Sequence, residues 1–198
     1  MNIRQSALAL AISAAFAVPA LAETTGSEVQ RNENQQNRIE QGLKSGELST
    51  KEAARLEKGE AKIEKTEAKA LKDGTLTPAE KAKIQREQNA ESAAIHKAKT
   101  NDVRGNPNSA SSQRMQADVQ RQANQQARIK EGVKSGQLTK HETAKLESGE
   151  ARISRKEARA GADGHVGPVE QANIQHAENK ESRKIYRQKH DAQTKQPQ

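Results

Sequence analysis

The sequence predicts an all-α protein made of two tandem copies of a three-helix unit, joined by a flexible linker. Three observations support this: an internal repeat, matching helix start and stop signals in both copies, and a heptad-like spacing of apolar residues. Residues 31–99 align without a gap with residues 121–189 at a constant offset of 90, with 34 identities in 69 positions. A repeat of this length indicates that one helical unit has been duplicated.

The first 22 residues have the pattern of a secretory signal peptide. Arg4 supplies a positive charge, residues 7–18 form a short apolar run, and residues 20–22 (Ala-Leu-Ala) form a small-x-small cleavage site. The run is too short for a membrane span. We expect cleavage after Ala22 and a periplasmic or secreted mature chain. Because no second apolar run follows, we expect no integral membrane segment after cleavage.

Each copy, 23–100 and 118–190, is predicted to contain three helices arranged as helix-turn-helix hairpins. In the first turn Gly46 ends a helix, and Ser49 with Glu52 forms a capping box for the next helix. Later turns repeat this pattern with Gly74, Thr77, Pro78 and Glu80, then Gly136, Thr139 and Glu142, then Gly164, Gly167, Pro168 and Glu170. Gly167 has no capping hydroxyl, so the last cap is expected to be the weakest.

The middle helix of the first copy has a narrow apolar seam flanked by charge. The seam consists of Leu56, Gly59, Ile63, Thr66 and Ala70, at alternating spacings of three and four. An acidic ridge (Glu57, Glu60, Glu64 and Glu67) and a basic ridge (Lys58, Lys62, Lys65, Lys69 and Lys72) flank it. We expect these charges to alternate on solvated helix faces, and a narrow seam suits an antiparallel hairpin or a partner helix.

The remaining segments lack such signals. Residues 101–117 contain much Asn, Ser, Gly and Pro and are predicted to be the linker. Residues 191–198 are predicted to be a disordered tail.

Composition excludes several classes of function. The chain has 34 Lys and Arg against 26 Asp and Glu, a formal net charge of +8, 1% aromatic residues and no Cys. A disulfide framework, a Cys-based zinc site and a thiol nucleophile are therefore excluded, and a stacking platform for bases is missing. There is no phosphate loop, nucleophile elbow or convincing acid–base pair. We expect a protein that is not an enzyme and uses no cofactor.

The glycine turns resemble EF-hand loops in outline, which leaves cation binding, of calcium or a transition metal, as an alternative. The candidate ligands are Glu52, Asp73, Glu80, Glu131, Glu142, Asp163 and Glu170. A hard cation needs about six oxygen ligands, and the early loop positions are occupied by residues such as Leu43 and Lys69. The helix stop and capping box explain the same residues without a metal.

A second alternative is binding of anionic envelope polymers or nucleic acid by a basic helix. The candidate patch is Lys180, Arg183, Lys184, Tyr186, Arg187 and Lys189. Elsewhere we expect the basic residues to be interleaved with acidic ones, which would dilute their field.

The chain also shows a resemblance to known proteins. Its motifs read QQ-x-RI-x-x-G-x-x-SG-x-L-[ST]-x-x-E, DG-x-x-x-P-x-E and N-x-ES-x-x-I-Y-x-x-KH, the last formed by Asn179, Glu181, Ser182, Ile185, Tyr186, Lys189 and His190. This pattern resembles a group of small exported proteobacterial helical-repeat proteins and covers both copies, although the first copy has His96 in place of the tyrosine. The resemblance implies an exported helical protein and implies no activity.

The leading hypothesis is therefore a non-enzymatic periplasmic or secreted helical protein that acts through interactions, connected with envelope stress. Its expected partner is a protein or an anionic envelope component, and self-association is a further expectation.

Overall fold

The computed structural model describes residues 25–192, and the predicted signal peptide and residues 193–198 lie outside this range. Six helices are present: α1 Thr25–Ser45, α2 Thr50–Ala70, α3 Pro78–Thr100, α4 Ala110–Lys134, α5 Lys140–Ala160 and α6 Pro168–Lys189. No strand occurs among the described residues, so the all-α prediction is confirmed. None of these helices is both long and apolar enough to cross a membrane.

The helix boundaries follow the predicted signals. Ser49, Thr77 and Thr139 each accept a hydrogen bond from the backbone N–H three residues later, and the Glu there accepts one from the cap's own N–H. Gly167 makes no side-chain cap, as expected, although Glu170 still accepts from its N–H at 2.9 Å. The four stop glycines, at positions 46, 74, 136 and 164, have φ between 75° and 95°, the left-handed conformation that favours glycine.

Corresponding helices of the two copies pack against each other. α1 lies along α4, and α2 lies along α5. Both pairs are antiparallel: Lys134 near the end of α4 contacts Gln30 near the start of α1, and His141 in α5 lies 3.2 Å from the carbonyl of Lys72, just after α2. α3 packs against α1 and α2, and α6 packs against α4 and α5.

The two halves are related by a pseudo-two-fold axis. Ser154 Oγ donates a hydrogen bond to Glu64 at 2.8 Å, and these residues are equivalent under the offset of 90. Equivalent residues that touch each other must lie on or beside the symmetry axis. The centre of the bundle therefore lies where the middle of α2 crosses the middle of α5.

Apolar residues form clusters towards the two ends of the bundle. The larger cluster includes Ile39 and Leu43 from the end of α1 and Met115 and Val119 from the start of α4. The other joins Val29 near the start of α1 to residues of α4, α5 and α6. The hydrophobic effect thus holds both ends together, while the interior between them has a different composition.

The segment predicted as a linker is partly helical and partly bound to the first copy. α4 begins at Ala110, inside residues 101–117. Before it, the Gly105 N–H donates to the carbonyl of Gly46 at 2.9 Å. A Cβ at position 105 would collide with the backbone of Leu48 and Ser49, so glycine permits this close approach.

Candidate functional site: a basic groove over a carboxyl core

Charge is completely segregated on α2 and α5. Every exposed residue of these two helices is basic: Lys51, Arg55, Lys58, Lys62, Lys65 and Lys69 on α2, and His141, Lys145, Arg152, Arg155, Lys156 and Arg159 on α5. Every carboxyl-bearing residue is buried: Glu52, Glu57, Glu60, Glu64 and Glu67 on α2, and Glu142, Glu147, Glu150 and Glu157 on α5. The charged side chains on the outer face of the pair are therefore all basic.

The prediction that the acidic ridge lies on a solvated face is wrong. Glu57, Glu60 and Glu64 are 0% exposed, like the apolar seam residue Ile63 beside them at 1%. The physical reason is that α1, α3, α4 and α5 all pack against α2. These four neighbours bury both the seam and the acidic ridge, and only the basic ridge stays in solvent.

Amide and hydroxyl groups from α1, α3, α4 and α5 donate hydrogen bonds to part of this buried acid. At the centre, Glu64 accepts hydrogen bonds from Gln122 and Gln126, both at 3.1 Å, and from Ser154. Glu67 accepts from Asn32 at 2.6 Å and from Gln88 at 3.1 Å. Such donors stabilise the ionised form of a buried carboxyl.

Other buried carboxyls have no such donor. Both oxygens of Glu60 and of Glu150 lack a hydrogen-bond partner. Both oxygens of Glu157 lack one as well, and burial together with the neighbouring Glu57 carboxylate raises the pKa of Glu157 well above its ordinary value. Burial without donors favours the protonated form of these carboxyls.

Desolvation explains the resulting acidities. Burial raises the pKa of Glu57 and of Glu67 to about 8 and that of Glu64 to about 7. Burial and neighbouring carboxylates raise the pKa of Glu60 and Glu150 well above the ordinary value.

Two glycines admit further carboxyls from the flanking helices. The carboxyl of Glu91 on α3 lies against Gly59, and that of Glu181 on α6 lies against the equivalent Gly149. A Cβ at either glycine would occupy the position of the carboxyl group. Burial raises the pKa of Glu91 to about 7, which Lys62 opposes.

A groove runs along the outer face between α2 and α5. Its larger half is a cavity of about 930 Å³, and its smaller half is one of about 510 Å³. Lys65 and Arg155 line both halves, and they are equivalent residues, so they flank the pseudo-two-fold axis. The larger half is lined by Lys65, Lys69, Lys72, His141, Lys145, Arg152, Arg155, Lys184 and Arg187, with Ala68, Ala144 and Leu146 between them and Asp191 at one end. We call the two cavities together the basic groove.

The predicted basic patch on α6 is only partly in this groove. Lys184 and Arg187 line it, and Lys180 lines a neighbouring cavity of about 290 Å³. Lys189 pairs with Glu131 at 3.1 Å. The exposed ring of Tyr186 stacks on His190 with centroids 4.2 Å apart, and Arg183 is exposed and lines neither half of the groove.

The candidate metal ligands are each engaged by the protein. Glu52, Glu80, Glu142 and Glu170 accept from capping residues, Asp73 and Asp163 accept from the backbone N–H two residues later, and Glu131 accepts from Lys189. Across residues 25–192, no group of three or more His, Asp or Glu side chains has an arrangement that could hold a metal ion.

Sequence reasoning missed the groove because it treated acids and bases as sharing one surface. The available signal was the unbroken spacing of Lys51, Arg55, Lys58, Lys62 and Lys65 at intervals of three and four, which places them on one face. Comparison of the chain with family models, curated proteins and solved structures gives no significant match.

Proposed function

We propose that this is an exported, non-enzymatic helical protein that binds a linear polyanion in the basic groove. The observation that supports the proposal is the charge segregation of α2 and α5. The net charge of α2 does not reveal this segregation, because six Lys and Arg and five Glu give a net charge of only +1. With those five Glu buried, the outward face of α2 is entirely cationic.

Such a face attracts anions strongly. Cations that line a concave surface with low-dielectric walls focus the potential and raise the local concentration of an oppositely charged ligand. The two halves of the groove meet at Lys65 and Arg155, so cations continue along both halves. A flexible chain with regularly repeated phosphate, sulfate or carboxylate groups fits this shape.

The groove favours a polymer without bases over nucleic acid or a membrane. Binding of single-stranded nucleic acid usually uses aromatic platforms for base stacking, and no aromatic residue lines the groove. Docking on a bilayer usually inserts large apolar side chains. The exposed large apolar residues of the described chain are Val103, Val169 and Tyr186, none of which lines the groove.

The proposal keeps the hypothesis of an exported interaction protein and names an anionic envelope polymer as its partner class. Export rests on the signal-peptide pattern of residues 1–22. Connection with envelope stress is a proposal on the same footing. The candidate carboxylates of the glycine turns already accept hydrogen bonds from the protein. This arrangement gives no support to cation binding.

The test is titration of the mature protein with long-chain inorganic polyphosphate at several salt concentrations. We expect binding that weakens as salt rises, because cations on the protein displace counterions from the polymer. The variant K65Q/K145Q removes one groove cation from each helix and should lower the affinity at least about ten-fold and flatten the salt dependence. The control K97Q/R183Q removes two exposed cations outside the groove and should bind within about two-fold of wild type.

Three results would contradict the proposal. One is an absence of polyphosphate binding at low salt. Another is equal weakening in the two double variants, which would indicate attraction by net charge alone. The third is tighter binding, at equal salt, to a single-stranded oligonucleotide or to vesicles containing anionic phospholipid.

A further inference from the structure

We infer that the basic groove and the buried carboxyls beneath it form one proton-linked unit, in which binding of the anion makes the core take up protons. The inference rests on the proposed function, because it concerns the same groove. It adds that the affinity of the groove is controlled by protonation in the bundle interior.

The link between groove and core is made at the pseudo-two-fold axis. Arg155 lines both halves of the groove and directly follows Ser154, which donates to the central Glu64 at 2.8 Å. From this position its charge favours the ionised form of Glu64. Its guanidinium is held in place because Arg155 Nε donates to the carbonyl of Ala151 at 2.8 Å. The same cation therefore faces an anion on one side and stabilises a buried carboxylate on the other.

A second link lies off the axis. Lys62 lines the smaller half of the groove, and its charge favours the ionised form of Glu91, whose carboxyl lies against Gly59. Lys62 also pairs with Glu87 at 3.3 Å. In both links a cation of the groove favours the ionised form of a buried carboxyl. An anion that neutralises the charge of Arg155 or Lys62 therefore favours protonation of Glu64 or Glu91.

The surroundings of Glu64 determine how its charge behaves. Its own helix presents Glu57, Glu60 and Glu67, and α5 presents Glu147, Glu150 and Arg155. α4 contributes the uncharged Gln122 and Gln126. Further carboxyls act on the neighbours of Glu64: Glu28 on α1, Glu91 on α3, Asp118 on α4, and Glu178 and Glu181 on α6. Arg155 is the cation that acts on Glu64 itself, whereas Arg121 and Lys184 pair with Glu178 and Glu181 farther out.

Thermodynamic reciprocity then requires the converse effect. If a bound anion favours a protonated core, a protonated core must favour a bound anion by the same factor. Lys and Arg remain charged between pH 6 and 8, so they contribute no pH dependence of their own in that range. Groove affinity should therefore be higher in mild acid, through Glu64 and Glu91.

The experiment measures polyphosphate binding by calorimetry at pH 7 in buffers of different ionisation enthalpy, which gives the number of protons exchanged. Since histidine also titrates between pH 5 and 8, the reference is the variant H141Q/H176Q, which lacks the histidines of the groove and its neighbouring cavity. We expect net proton uptake in this reference, and affinity about three-fold or more weaker at pH 8 than at pH 6. Adding E64Q should remove a large part of the uptake while binding at pH 6 is retained.

A second measurement tests the link without any ligand. Side-chain carboxyl NMR, with the Glu64 signal identified by its loss in E64Q, should show Glu64 titrating at higher pH in R155Q than in wild type. An unshifted Glu64 midpoint in R155Q, or binding without proton uptake in the H141Q/H176Q reference, would overturn the inference and leave the proposed function standing. Absence of binding at every pH would overturn both, while the NMR result would still decide whether Arg155 acts on Glu64.

Discussion

The residues on the pseudo-two-fold axis show the consequence of one difference between the two copies. An exact repeat would place two glutamates face to face at positions 64 and 154. The chain instead has Ser154, whose hydroxyl donates to Glu64 at 2.8 Å. A contact that would repel when both groups ionise has become a hydrogen bond, and Glu64 can carry a charge in the interior.

Replacing this serine should destabilise the protein in a pH-dependent way. Hydrogen bonds to charged groups contribute about 1.5–3 kcal/mol, so S154A should lower the free energy of unfolding by about 2 kcal/mol at pH 8. At pH 5, where Glu64 is protonated, we expect a smaller loss. Urea denaturation at both pH values measures the difference. The control S148A removes a half-buried hydroxyl that accepts from Arg152, and a loss as large in S148A would contradict the assignment.

The weakest helix cap offers a stabilising change. Gly167 has φ −78° and ψ 164°, close to the −71° and 155° of the equivalent Thr77, so threonine fits its backbone without strain. G167T should raise the free energy of unfolding by about 0.5–1 kcal/mol, through a new cap bond and a less flexible unfolded chain. Thermal melting measures this, with T77G as the reciprocal variant expected to lose a similar amount. A destabilised G167T would show that the loop before α6 is constrained in some other way.

Helix positions and caps followed from the sequence, but which faces of the helices are buried did not. Periodicity identifies a ridge such as Glu57, Glu60 and Glu64, yet it does not say how many neighbours cover it. Glutamate is rarely buried without a partner, so the solvated interpretation was the expected one. The decisive information is the burial of α2 by helices of both copies, which is a long-range property. For the same reason the sequence predicts a basic patch on α6 and not one on α2 and α5.

Buried carboxyls of α2 without hydrogen-bond partners should lower the free energy of unfolding of the protein. Glu60 is fully buried and neither oxygen has a hydrogen-bond partner, so E60M should stabilise the protein at pH 8 by about 2 kcal/mol. The matched variant E67M leaves the amides of Asn32 and Gln88 without their acceptor and should be less favourable. Chemical denaturation of both variants tests this. Equal effects would show that hydrogen bonding in the core does not distinguish the two sites.

The bundle forms a buried core although only 31% of the residues in the chain are hydrophobic. Apolar clusters hold the two ends, and amides and carboxyls fill the layer between them. Placing the acids inside leaves the bases outside, so the same arrangement builds the core and the basic groove. The cost is a core whose stability depends on its protonation.

That dependence has a definite sign. The pKa of Glu64 is raised from 4.5 to about 7 in the folded protein, and those of Glu57 and Glu67 to about 8. The folded chain therefore binds these protons more tightly than the unfolded chain. The stabilisation that these protons contribute is fully present below pH 4.5. It is lost as the pH rises through 7 and 8, and the stability changes little beyond that.

We therefore expect a lower melting temperature at pH 8.5 than at pH 5. For Glu64 alone the change from 4.5 to about 7 corresponds to about 3 kcal/mol, and 1 kcal/mol shifts Tm by about 2–4 °C in a protein of this size. The decrease should be about 10 °C or more, and smaller in E64Q. Measurement in 0.5 M NaCl screens repulsion among the surface cations, so a decrease that persists there arises from the core. A Tm that is constant or rises with pH would contradict this expectation. It would show that the buried carboxyls are ionised in the folded protein and are compensated by cations.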